Sequence, residues 1–287
     1  MWSDGAFGVG IALLILSSTW PLERLARGYF SIHEFEFMAL RIAAPMLIAL
    51  SHPAAILIRG IPRPFREAIL VAALPHRAVR LAWCFVRQPV TVLILYLAAL
   101  LLWAIPSTQE RALVSPLTAL ALHGSLFLAG LLFWSRVFDR RPAPHAPSHG
   151  VRMMMLWFAI LAQILIGSST SFKTSIWYPA YGRSRWLGGR LNDEAIGGIF
   201  LWIPSSLLTL LGMLVVIHLW GRHETFLDLK RTSWSPSNSA ILLYPQSGRS
   251  LREMAAPKNR RMALSMLAFS LFIFSAVFVI AIADRLV

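Results

Sequence analysis

Seven apolar runs, separated by shorter stretches rich in Arg, Pro and Ser, organise this chain. They cover 5–20, 31–51, 89–106, 112–136, 151–171, 195–220 and 262–283. Most are continuous and Leu/Ala-rich, and they approach or exceed the roughly 18 apolar residues that mark a spanning helix. Strands of a membrane barrel would alternate apolar and polar positions instead. The pattern predicts an all-α, polytopic membrane helix bundle of about seven transmembrane helices. Residues 61–88 mix Arg with Leu, Val, Phe and Trp. That mixture suits short helices lying in the membrane interface. The runs group into a six-helix core over 1–220, a basic and partly flexible loop over 221–261, and a C-terminal spanning helix in 262–287.

Composition agrees with this reading. The chain is 57% hydrophobic and 14% charged, where a soluble domain carries about 25% charged residues. Its net charge of +14 raises the question of nucleic acid. In a membrane chain the same excess marks cytoplasmic loops and contact with anionic lipid, and no nucleic-acid partner is expected. Loops after the second, fourth and sixth runs hold 18 of the 27 Lys and Arg residues. This bias puts the N-terminus in the cytoplasm and the C-terminus outside. The first run has no basic residues before it and no Ala-x-Ala after it, so it reads as a retained helix rather than a cleaved signal. Cys84 is the one cysteine, which excludes a disulfide within the chain.

The orientation gives meaning to the polar residues inside the runs. "SIHEFEFMALRIAAPMLIALSHP" carries His33, Glu34, Glu36 and Arg41. Ionisable groups at membrane depth are costly and face a bundle interior, a wet cavity or one another. His33 and Glu36 are three apart and share a helix face. Arg41 lies about 12 Å further along the axis, within reach of a Glu34 or Glu36 counter-charge. His123 falls near the middle of the fourth run, and Asn192, Asp193 and Glu194 stand at the outer start of the sixth. By this topology His33, His123 and Asp193 all lie in the outer half of the bundle. Imidazole with carboxylate suits copper, zinc or iron, and Met38 could add a soft ligand. Two readings stand at this point: a metal site, or a structural ion network with Asp193 as an ordinary helix cap. No nucleotide-binding glycine loop, nucleophile motif or metalloprotease pair is present, so no enzyme is expected.

Four blocks carry a family resemblance. "FSIHEFEFMALRIAAPMLIALSHP", "LALHGSLFLAGLLFW", "IWYPAY" and "LNDEAIGGIFLWIP" resemble, in order, blocks of the CtaG-type cytochrome c oxidase assembly factors. The resemblance implies a multi-pass bacterial inner-membrane protein that helps mature a haem-copper oxidase, assisting its copper centre on the periplasmic side. It also implies oxidase subunits or other assembly factors as partners, and places His33, His123 and Asp193 at positions suited to metal. Phe37, Ala119 and Leu122 stand where the family pattern has His, His and Glu, and Glu194 replaces a Gln. The chain begins near the family's second common helix. Three functions follow: a copper-handling factor, a metal-free scaffold for oxidase subunits, or a small-solute transporter.

Overall fold

The computed structural model describes residues 2–17, 19–52, 76–141, 145–181, 188–232 and 259–272, with isolated positions at 62, 253, 256–257 and 275. All described secondary structure is helical. Residues Met1–Val216 form one compact unit and Ile217–Val287 a second.

The chain opens with α1 (Trp2–Ser17) and α2 (Trp20–Ala26). The quoted polar stretch then becomes a single helical path in three parts: α3 (Phe30–Met38), a π turn at Ala39–Ala43, and α4 (Ala44–Ser51). Pro45 explains the interruption. It has no N–H to offer the Arg41 carbonyl four residues back, and its ring presses on that carbonyl. The wider turn absorbs the conflict. Gly130 packs on the same spot, where a Cβ would sit 2.3 Å from the Arg41 carbonyl oxygen.

Next come α5 (Arg77–Val86) and α6 (Pro89–Ala104), bent 68° from each other. No residue of α5 is buried, and Trp83 lies under Arg87, 5.4 Å from guanidinium carbon to ring centroid. These features fit an interfacial helix. The rest of the expected interfacial stretch, 63–75, lies outside the described residues. The short helix α7 (Pro106–Val114) precedes α8 (Pro116–Val137). The apolar pattern started the fourth run at 112. Pro116 makes the break, since proline fits the first helical turn and forces an extended residue before it. Ser115 is that residue, and its side chain accepts the Thr118 N–H.

Helix α9 covers His149–Phe172 and α10 covers Arg190–Thr232. Gly188 and Gly189, with φ of 81° and 114°, turn the chain into α10. Within α10, Pro204 leaves the Phe200 carbonyl without its N–H, and the Ser205 hydroxyl donates to it at 3.1 Å. Where α9 and α10 cross, a Cβ on Gly167 would lie 2.8 Å from the Gly198 carbonyl oxygen. Small residues permit such an approach in membranes.

Among the described residues, three helices are long and apolar enough to cross a membrane: α8, α9 and Arg190–Thr225. Counting the bent pair α5–α6 as one span makes four. The first expected span is a shorter apolar helix, Gly5–Ser17. The seventh lies only partly within the described residues, as a helical stretch at 259–272. Much of the loop expected over 221–261 lies outside them. The main core joins Ile42, Tyr96, Phe133, Trp134, Leu156 and Val216. Outward-facing Leu117, Leu120, Leu128 and Leu214 are exposed, which suits lipid rather than water.

Candidate metal site

Helix α3 buries polar groups that a helix in water would expose. His33, Glu34 and Glu36 are 5%, 4% and 1% exposed. His123 approaches from α8, and one donor atom from each of His33, Glu36 and His123 lies within 4.8 Å of the others. The His123 Nε2 is 3.2 Å from Glu36 Oε1. Yet that oxygen accepts no hydrogen bond of good geometry from any described residue. Two donors this close but not hydrogen-bonded resemble neighbouring ligands of one cation. Ligands at about 2.0–2.1 Å in a tetrahedron stand about 3.3–3.4 Å apart. His33, Glu36 and His123 line a cavity of about 20 Å³, room for a water or a single ion. A wider opening of about 180 Å³ shares Glu23, Arg27, Ala119 and His123 in its walls.

A chain of hydrogen bonds fixes which His33 nitrogen faces the cavity chemistry. Gln109 Nε2 donates to Glu34 Oε1 at 3.2 Å, so Gln109 Oε1 is an acceptor. The Tyr181 hydroxyl donates to it at 3.2 Å and is therefore an acceptor toward His33 Nδ1, its other partner. His33 then carries its proton on Nδ1 and keeps the Nε2 lone pair for a ligand. Burial, followed by the Glu34 carboxylate, pushes the Tyr181 phenol well above its ordinary pKa, so it stays protonated. The Tyr181 oxygen here takes the place that a carboxylate, backbone carbonyl or water usually takes behind a metal-bound histidine.

Glu194 delivers Tyr181. Its carboxylate accepts the Trp177 and Tyr178 backbone N–H groups at 3.0 Å each and pairs with Lys173. Lys173 also lies over the Trp177 and Tyr178 rings, at 4.5 and 4.8 Å. Burial holds the Lys173 amine below its usual range, and the pairing with Glu194 opposes that. Tyr178 stacks on Phe30 at 4.3 Å and donates to the Ala104 carbonyl at 2.6 Å. The loop from 173 to 181 is thus tied to α3, α6 and α10.

The predicted residues divide. His33 and His123 come together, with Glu36 as the third donor. Asp193 stands apart from them. Its carboxylate accepts the Phe30 N–H at 2.8 Å, the Ser31 N–H at 3.2 Å and the Ser31 hydroxyl at 2.5 Å. It caps α3 across the bundle, and those three bonds account for its buried charge. Arg41 is 1% exposed and, among the described residues, makes no contact ion pair with Glu34 or Glu36. Its Nε and Nη2 have no hydrogen-bond partner, and its guanidinium lies 5.9 Å from the Tyr96 ring centroid. Beyond Tyr96, Gln163 reaches the Tyr96 hydroxyl at 3.3 Å and Thr209 at 3.4 Å. Met38 sits in the apolar core rather than at the cavity.

Sequence reasoning missed Gln109, Tyr181, Glu23 and Arg27. "IWYPAY" carries a family resemblance but no sign of what its tyrosines bond, and Gln109 lies in a polar stretch with no periodic signal. Phe37 packs against both imidazoles, its ring 4.1 Å from His33 and 6.5 Å from His123.

A family model described as cytochrome c oxidase caa3 assembly factor (Caa3_CtaG) matches residues 1–223. Uncharacterized proteins of Mycobacterium bovis and Mycobacterium tuberculosis are each 23% identical over 236 residues, covering 76% of this chain and 34% of theirs. One from Mycobacterium leprae is 24% identical over 233 residues, with the same coverage. The chain therefore spans about a third of the length of these curated relatives. No solved structure matches it.

Proposed function

The chain belongs to the cytochrome c oxidase caa3 assembly factor family, and from that premise we propose that it takes up and hands on copper during maturation of the oxidase's copper centre. The copper is cargo, held by His33, Glu36 and His123. The observation that carries this reading is the meeting of those three donors at a cavity, with the Glu36 Oε1 buried and lacking a hydrogen bond. Three protein ligands with one side open suit an ion that must leave again. Two imidazoles and a carboxylate, with no sulfur in the lining, favour divalent copper over Cu(I). We place the mouth on the periplasmic side of a bacterial inner membrane. The basic loops support this placement, as does the arginine cluster of Arg87, Arg136 and Arg141 around Asp139, which suits a cytoplasmic surface of anionic lipid. Oxidase subunits or other assembly factors are the receiving partners.

The test is metal content of detergent-purified protein after loading with Cu(II) or Cu(I). Copper near one equivalent in the wild type, lost in His33→Ala, His123→Ala and Glu36→Gln, is the expected result. Equal copper in wild type and all three variants would sink it. A second reading has one observation in its favour: the ring packed against both His33 and His123 is Phe37, which offers a cation no donor atom. On that reading the protein is a metal-free scaffold for oxidase subunits. It predicts oxidase assembly unchanged by the three substitutions.

A further inference from the structure

The site residues are recessed, and half of the residues walling the opening are apolar: Pro116, Ala119 and Leu120. The remaining wall residues are Glu23, Arg27 and His123. Glu23 and Arg27 stand one turn apart at the end of α2, with Arg27 Nη2 2.5 Å from Glu23 Oε1. Their side chains are 32% and 56% exposed, while those of His123 and Glu36 are 23% and 1% exposed. From surface to interior the polar groups therefore run carboxylate, imidazole, carboxylate.

We propose that Glu23 is the first ligand of the incoming cation and Arg27 the counter-ion it sheds, so that this ion pair gates the site. The inference rests on the cation-site reading above. With the pair closed, a guanidinium occupies the Glu23 carboxylate and cancels its charge, so the mouth neither attracts a cation nor offers it a ligand. Exposed pairs at this spacing are weak and open readily, and exposed side chains exchange rotamers in ps–ns. An arriving hydrated cation displaces Arg27 from Glu23. The opening, at about 180 Å³, has room for several of its waters at about 30 Å³ each. His123 then replaces Glu23, Glu36 and His33 complete the set, and Arg27 returns to Glu23. Only Glu23 leaves as the inner set binds, and the ion pair at the mouth is re-formed.

The experiment is stopped-flow loading of the purified full chain with Cu(II) alone, followed by quenching of tryptophan fluorescence. Glu23→Gln is expected to slow the bimolecular phase about tenfold, and Arg27→Gln to speed it by a similar factor, within the range that electrostatic focusing provides. The final stoichiometry stays that of the wild type, because His33, Glu36 and His123 set it. The exchanged pair Glu23→Arg/Arg27→Glu keeps the net charge and is expected to load slowly. Wild-type rates in Glu23→Gln overturn the gate and leave the copper site standing. A wild-type rate in the exchanged pair reduces both residues to a diffuse field and overturns Glu23 as a ligand. A wild type that binds no Cu(II) overturns the gate and the copper site together.

Discussion

Replacing Tyr181 by Phe removes one oxygen and tests the logic of the whole site. Tyr181 is 1% exposed, so water cannot take the place of its hydroxyl. Two groups lose their partner: the His33 Nδ1–H and the Gln109 Oε1. An orphaned buried group costs about 1–3 kcal/mol. Without the hydroxyl, His33 is free to move its proton to Nε2, the nitrogen that a cation needs. Loss of a partner behind a ligand histidine lowers metal affinity by about 10–100-fold. That range corresponds to about 1.4–2.7 kcal/mol, the same size as one orphaned group. A competition titration against a chromophoric chelator reads the affinity, and thermal unfolding of metal-free protein reads the stability. Tyr181→Phe is expected to lose both. A variant less stable than wild type but with unchanged affinity would show that Tyr181 is only a packing anchor, and the tautomer argument would fail.

Phe37→His places a third imidazole against His33 and His123 and is expected to tighten copper binding in the same titration, while metal-free protein loses stability through a buried unpaired ring. Asp193→Ala deletes three hydrogen bonds at the start of α3 and is expected to cost about 2–4 kcal/mol, since bonds to a charged group contribute about 1.5–3 kcal/mol each before relaxation; a change in melting temperature in detergent checks it. Gly130→Ala forces a Cβ onto the Arg41 carbonyl and is expected to cost about 1–3 kcal/mol, whereas Gly124→Ala, with nothing within 4 Å, is expected to be neutral. Burial alone would raise the Asp139 carboxyl, but the Arg141 hydrogen bonds and the Arg141 and Arg136 charges outweigh it and hold the pKa at about 2, below the ordinary 3.8. A depressed acid contributes stability above its unfolded pKa and loses it as pH falls through the folded value, so acid unfolding between about pH 4 and pH 2 is expected to flatten in Asp139→Asn.

Local physics made much of this protein legible. Runs of apolar residues revealed the helices because membrane insertion demands them, and period 3.6 put His33 and Glu36 on one face of α3. Pro106 and Pro116 each open a helix, α7 and α8, a turn signal that the continuous apolar run masks at 112–116. The partners of those polar groups were not legible. Gln109 and Tyr181 lie 76 and 148 positions from His33 (the second a direct bond), and chain separation carries no pattern that local periodicity can read. Arg41 is the clearest divergence. Charge arithmetic paired it with the acids of α3; its charge does act on Glu34, while the guanidinium also lies over Tyr96, a contact that local spacing does not reveal.

The first turn of α10 ties these parts into one device. As a helix start, adjacent Asp193 and Glu194 need no explanation beyond capping and the helix dipole. Their bonds go elsewhere. Asp193 holds the beginning of α3, three residues before His33, and Glu194 holds the loop that carries Tyr181. One turn of one helix therefore sets the position of His33 and of the Tyr181 hydroxyl that bonds it. Gly197, a turn later, lets the Phe30 ring approach where a Cβ would meet it at 2.3 Å, so α3 and α10 are pinned by both charge and contact. Two acids on one rigid turn hold His33 and Tyr181 in register more tightly than two separate anchors would. The hydrogen bonds to α3 and to the 173–181 loop give both buried carboxylates at the start of this helix their partners.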